Sequence, residues 1–186
     1  MGVWDWLMGR KPGRVEPEAP TIEVTIERGR SSPPDDYVSP YLPSERSAEL
    51  LVLDAQGMPP LRMKLHHGEW WLSEESTGLF VNVGNRALRG LGIWSVRVRG
   101  DDYAPGQLHA GPVQLVREPG NEHDVNAIAI VQHGVRCGYW NKSMARALSK
   151  VLDSGSALEA VAISADPPKV VAAEPHVLRH IIRGMR

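Results

Sequence analysis

The chain has 186 residues, enough for one ordinary domain or a small domain with extensions. Its 18 glycines and 15 prolines favour turns, short strands and loops over long helices, and a formal net charge of −1 excludes a global basic field. The single cysteine, Cys137, excludes an internal disulfide and a CxxC zinc motif, and no run of about 18 apolar residues offers a membrane-spanning helix.

Residues 1–48 read as a Pro-rich disordered tail, because Pro12, Pro17, Pro20, Pro33, Pro34, Pro40 and Pro43 each fix φ and remove a backbone donor. Within it, Thr21 to Ile26 alternates as a short β-like run. Trp4, Trp6, Leu7 and Met8 form an apolar head suited to docking on a partner or on the chain's own body. The same N-terminus carries an early acid, Asp5, and lacks the basic start and apolar core of a signal peptide. The expected location is therefore a reducing, cytoplasmic one.

Residues 49–90 read as a small β-hairpin region followed by a linker. Glu49 to Leu53 has strand character, and Asp54-Ala55-Gln56-Gly57 is a turn. Leu61 to His66 alternates apolar and polar, His67-Gly68 turns the chain, and Glu69 to Leu72 returns it. Trp70 and Trp71 are adjacent in that strand, so one faces inward and one outward. The glycine-rich stretch 82–92 reads as linker. Its Gly90-x-Gly92 is no dinucleotide fingerprint, since no amphipathic helix follows.

From residue 91 to 186 the patterning sharpens into one domain. Ile93 to Val98, Gly111 to Arg117, Ala127 to Val131 and Val135 to Tyr139 read as strands, with His133-Gly134 a tight turn. The period then becomes helical. Met144, Ala145, Leu148, Val151 and Leu152 share one face, Asn141 or Ser143 can cap the start, and Ser154-Gly155 the end. Ala157 to Ile163 is a further strand, and Val170 to Ala172 is a candidate for another. Pro175 can open a last helix, made basic by Arg179, His180, Arg183 and Arg186.

The most specific stretch is Leu115-Val116-Arg117-Glu118-Pro119-Gly120-Asn121-Glu122-His123-Asp124-Val125-Asn126-Ala127-Ile128-Ala129-Ile130. Physically it is a strand, a polar loop and a return strand, and Asn121, Asp124 and Asn126 can bond their own backbone to hold the loop. With the following GVRCGYWNKSMARALSKVLDSG, it resembles the HIRAN family over about residues 94–166. The shared core is an Arg-Glu-Pro loop with Asn-x-x-Asp-x-Asn-Ala-Ile, then a Gly-Tyr turn and a helix.

That resemblance implies a mostly β fold with one or two helices: a small OB-like β-barrel. It also implies a nucleic-acid-binding module recognising single-stranded or frayed DNA, or 3′ ends, in a repair or replication context. The site residues it implies are Tyr103, Asn121, His123, Asp124, Tyr139 and Lys142. Asp124 would accept a terminal sugar hydroxyl, Tyr103 would stack on a base, and Lys142 at a helix start would meet a phosphate. Three departures stand out. Asp101 and Asp102 occupy a stretch that is basic in DNA-capturing relatives, His123 replaces a tyrosine, and Asn141 replaces a cation.

No catalytic residues, cofactor or metal site are expected. His176 and His180 have metal-ligand spacing but no third ligand nearby, and are read as a solvated helix face. Cys137 reads as a small buried hydrophobe, and Glu122-His123-Asp124 lacks a nucleophile. The alternative function is a non-catalytic protein-interaction adaptor built on the same barrel, with a protein partner reached through the N-terminal tail. No membrane partner is expected.

Overall fold

A computed structural model describes residues 38–185. The Thr21 to Ile26 run, the tryptophan head and the rest of residues 1–37 lie outside the described residues. Eight strands, three α-helices and two 3-10 helices make up the described part, which is mostly β as the sequence implies.

Strands β1 (Leu61–His66) and β2 (Glu69–Glu74) form an antiparallel hairpin about His67-Gly68, both with positive φ. The other strands are β3 (Trp94–Arg97), β4 (Gly111–Arg117), β5 (Ile128–Gln132), β6 (Val135–Tyr139), β7 (Glu159–Ala165) and β8 (Pro168–Ala173). They form one antiparallel sheet in the order β3-β8-β7-β4-β5-β6. The sheet curls until its two edges meet. Arg99 N–H donates to Tyr139 O at 2.9 Å, and Tyr139 N–H donates to Arg99 O at 2.8 Å. That single residue pair joins the two edge strands of a curled, half-barrel sheet at one point.

Gly138 makes the crossing possible. Its φ is +145°, and a Cβ there would overlap Val98 Cγ1 and stand 3.0 Å from Arg99 O. Only a residue without a side chain lets β6 approach the end of β3 this closely.

Two hydrophobic clusters use opposite faces of the sheet. Inside the barrel, Trp94, Val96, Val98, Ile128, Ile130, Ala160, Ala162, Val170 and Ala172 meet Ala145 and Leu148 of helix α2 (Lys142–Asp153). On the outer face, Val161, Ile163, Val171 and Ala173 meet Leu61, Met63 and Leu72 of the hairpin. Leu178 and Ile181 of helix α3 (Pro175–Ile181) complete that cluster. Both faces of β7 and β8 are therefore buried, so both strands are near-continuously apolar rather than alternating.

Four local expectations differ from the structure. Glu49 to Leu53 is not a strand: Ser44–Leu51 is a 3-10 helix that puts Leu50 wholly into the outer cluster. One apolar anchor at helical phase outweighs the β-like run. Residues 38–48 do not read as tail in the structure, since Pro40 O and Leu42 N–H bracket Phe80 in backbone hydrogen bonds and Leu42 is buried. The expected linker contains a short helix, α1 (Arg86–Gly90). Asn85 Oδ1 caps it by accepting from Ala87 N–H at 2.9 Å, and Leu88 is buried. His180 is not on a solvated face: it is buried, with its Nε2 3.1 Å from Pro59 O and in contact with the Arg62 guanidinium.

Candidate nucleic-acid interface

The loop joining β4 to β5 is held by its own polar groups. Asn121 Oδ1 accepts from His123 N–H at 3.0 Å and Asp124 N–H at 3.2 Å, while Asn121 Nδ2 donates to Glu118 Oε2 at 2.9 Å. Asp124 Oδ1 accepts from Asn126 N–H at 2.9 Å. Asn126 Oδ1 in turn accepts from Ser149 Oγ at 3.2 Å, which pins the loop to α2. Arg117 clamps the loop's base, donating to Ala127 O at 2.7 Å while pairing with Asp153 at 2.9 Å. Asn126 thus serves the loop's own bonding, as its sequence position suggests.

These bonds leave one face uncommitted. Asp124 Oδ2 has no hydrogen-bond partner among the described residues. Beside it lies a cavity of about 330 Å³ lined by Arg99, Asn121, His123, Asp124, Ala127, Tyr139, Trp140, Asn141 and Lys142.

The other walls come from the barrel seam and a helix end. Tyr139, last in β6, has its hydroxyl fixed twice: it accepts from Arg136 Nη1 at 2.7 Å and donates to Glu118 Oε2 at 3.1 Å. Trp140 is buried, and its Nε1–H has no acceptor among the described residues. A buried donor without a partner costs free energy, on the order of 1–3 kcal/mol, unless something supplies an acceptor. Asn141 caps α2 by accepting from Ser143 N–H at 3.0 Å, and the first turn of α2 holds no acid. Lys142 is exposed and donates to His123 O at 3.3 Å, spanning the loop and the helix start.

Five of the six sequence-derived residues, Asn121, His123, Asp124, Tyr139 and Lys142, therefore line one cavity. Tyr103 does not. It ends a 3-10 turn, Asp101–Tyr103, and is 89% exposed. Asp101 and Asp102 line a different cavity, with Gln107, Leu108, His109 and Cys137. The cation at the barrel seam is Arg99, one of several sequence cations that could have converged on Asp124 but not one of the six site residues. A signal was available: Trp94, Val96 and Val98 face the core, so Ser95, Arg97 and Arg99 face out. Trp140 was missed, since nothing in its spacing separates a wall residue from ordinary core.

Residues 91–179 match the HIRAN domain. HIRAN domains form a family of nucleic-acid-binding modules, and the whole cavity wall falls inside the matched segment. Among solved structures, the HIRAN domain of human HLTF is similar at 25% identity, over 48% of this chain and 83% of that one, with a TM-score of 0.41. A protein from Lactobacillus plantarum is similar at 24% identity, over 43% and 91%, with a TM-score of 0.39. No curated protein matches the chain. Among the described residues no helix is long and apolar enough to cross a membrane, and no cluster of three or more His, Cys, Asp or Glu is placed to hold a metal ion.

Proposed function

We propose that this chain is a non-catalytic binding module whose HIRAN-type cavity takes the terminal nucleotide of a single-stranded or frayed DNA end, as an accessory in repair or replication. One observation carries the reading. A free carboxylate oxygen, two cations and two aromatic rings converge on a single cavity of about 330 Å³, at the small end of the range for ligand pockets.

The roles follow from the chemistry. Asp124 Oδ2 accepts a hydrogen bond from a terminal sugar hydroxyl, and the same charge repels a terminal phosphate. Lys142, at the acid-free start of α2, and Arg99, across the cavity wall, hold the phosphodiester that leads away from that terminus. Tyr139 offers ring surface to the base or sugar, with the buried Trp140 packed as wall behind it. Asn121 acts through the loop, because its oxygen is committed to two backbone donors. Asp101 and Asp102 line another cavity, so they are no obstacle to this path.

The test is a titration of the full chain with short single strands ending in 3′-hydroxyl or 3′-phosphate at low salt. Saturable binding that prefers the hydroxyl is expected. No saturable binding of either would end the reading.

A second reading, a protein-interaction adaptor, is favoured by an apolar groove of about 640 Å³ between α2, α3 and strands β4 and β7, lined by Leu115, Leu152, Leu158, Leu178 and Ile182. Partners recovered equally before and after nuclease treatment would support it.

A further inference from the structure

The outer face of β3 runs away from the cavity and carries charge that the terminal-nucleotide reading does not use. Trp94, Val96 and Val98 are spent in the barrel core, and Arg97 and Arg99 are exposed on the other side. Two residues of strand place those arginines about 6.7 Å apart along the chain. That is the order of the separation between successive phosphates in an extended single strand. Lys169 of β8 stands directly opposite Arg97 in the sheet register.

Lys169 leads to a cluster of rings. Its Nζ lies 3.8 Å from the centroid of Trp71, the outward tryptophan of β2, whereas Trp70 packs against the outer-face core. Trp71 in turn meets Phe80 at 5.1 Å and Tyr41 at 6.0 Å. His66 stands 5.0 Å from Phe80, with the exposed His67 beside it at 4.1 Å. Lys64 Nζ lies 5.8 Å from Phe80. Tyr41 is 38% exposed, and His66 is exposed. Burial pushes the Lys169 ammonium down, the Glu69 carboxylate opposes this, and the neighbouring Arg97 cation adds to the depression.

Cations in a row that end on aromatic rings are what a single nucleic-acid strand needs: phosphates track the cations and bases stack on the rings. A lysine resting on a tryptophan face is exchangeable. An arriving base can take the ring while the ammonium turns to a phosphate.

We propose that Arg99, Arg97 and Lys169 form a track carrying a single strand from the terminal-nucleotide cavity to an aromatic platform on the β1–β2 hairpin, around Trp71, Tyr41 and His66. The inference rests on the nucleic-acid reading above and extends it to residues 41–71, outside the HIRAN-matched segment. It makes the hairpin part of the binding surface rather than packing alone.

The experiment compares binding of about three-nucleotide and about ten-nucleotide thymidine strands with free 3′-hydroxyls, read by fluorescence anisotropy on the full chain at low salt. Wild type is expected to bind the longer strand about tenfold more tightly. The double variant Arg97→Gln/Lys169→Gln, and separately Trp71→Leu, are expected to lose most of that length gain. Both should keep trinucleotide affinity within about twofold, since none of the three residues lines the cavity. Circular dichroism checks the fold; if Trp71→Leu does not fold, the charge variant still decides. A length gain that survives in the folded variants, or equal affinity for both lengths in wild type, overturns the track and leaves the cavity reading standing. No saturable binding at either length overturns both.

Discussion

Closure of the barrel at Arg99 and Tyr139 should make Gly138 far less replaceable than glycines at ordinary turns. In Gly138→Ala the new methyl overlaps Val98 Cγ1 and sits 3.0 Å from the Arg99 carbonyl oxygen. Val98 is 1% exposed within the inner core and has nowhere to rotate. Moving the Arg99 carbonyl instead strains the two backbone hydrogen bonds that close the sheet, worth about 0.5–1.5 kcal/mol each. Overpacking adds about 1–3 kcal/mol. A φ of +145° is also unfavourable to alanine. These terms overlap, so the expected loss is about 2–4 kcal/mol.

Two other glycines calibrate that figure. Gly134 has φ +79° but open space around it, so Gly134→Ala should cost only its backbone strain, about 1 kcal/mol. Gly120 has neither a positive φ nor a neighbour within 4 Å, so Gly120→Ala should fall within about 0.5 kcal/mol of wild type. Urea unfolding followed by tryptophan fluorescence measures all three. If Gly138→Ala costs no more than Gly134→Ala, the close crossing does not exist in solution. Both Arg99 and Tyr139 would then lose the geometry that puts them on one cavity.

Asp124→Ala should weaken binding of a 3′-hydroxyl single strand about five- to tenfold, and it should erase the preference over a 3′-phosphate; a preference that persists would move the terminus elsewhere. Arg99→Gln should lower the slope of log affinity against log salt by about 0.7, the value for one phosphate contact on a single strand, and an unchanged slope would remove Arg99 from the interface. Leu148→Ala, at a fully buried α2 position, should cost about 2–5 kcal/mol in denaturant unfolding and so test whether α2 plugs the barrel. Glu74 gives a pH test. Burial raises its pKa, but the Thr77 and Ser76 side chains and their backbone N–H groups reverse this and hold it at about 2. A carboxyl depressed below its ordinary value stabilises the fold above that ordinary value and loses the contribution as pH falls from about 4.5 towards 2. The contribution is on the order of 2–3 kcal/mol, and Glu74→Gln should flatten stability over that window; an unchanged pH profile would refute the turn's role.

Much of the barrel could be read ahead because its strands announce themselves singly. β4 and β6 fall where alternation and the His133-Gly134 turn put them, and α2 starts at the Asn141 cap. What could not be read is which strands meet. The outer ends of β7 and β8 look like any apolar run. Only the structure shows that their second face is covered by Leu61, Met63 and Leu72 from residues that read as a separate hairpin. The 3-10 helix at Ser44–Leu51 and the one-turn α1 are too short to impose a period on their sequences, so each is held by a single buried leucine, Leu50 or Leu88. In the candidate site the loop residues were legible because Asn and Asp side chains fold a loop locally. Which of the nearby cations joins them was not, because Arg99 reaches the cavity through a pair with Tyr139, a contact between distant parts of the chain.

The near-neutral total charge then ceases to count against a polyanion partner, because a ligand in the cavity meets the nearest charges first, and at physiological ionic strength those beyond about 8 Å are largely screened. Several cations are already spent within the fold: Arg117 on Asp153, Arg46 on Glu49, Arg62 on Glu75 and Arg179 on Glu159. Arg97, Arg99 and Lys142 form no ion pair among the described residues. Two of these three line the cavity, and the third lies one strand step from it. The acids nearest in sequence to Arg99, Asp101 and Asp102, follow a left-handed Gly100 that turns the chain, and they line a different cavity. The field a ligand meets at the cavity is set by that sorting and not by the sum of −1. Placing a carboxylate on the cavity side, for example by Asn141→Asp, changes the sum by a single unit. It should nonetheless weaken strand binding several-fold, whereas Gln107→Glu, beside Asp101 and Asp102, adds the same charge and should change it little. Equal effects from the two substitutions would mean that only total charge matters, and the localised interface would have to be abandoned.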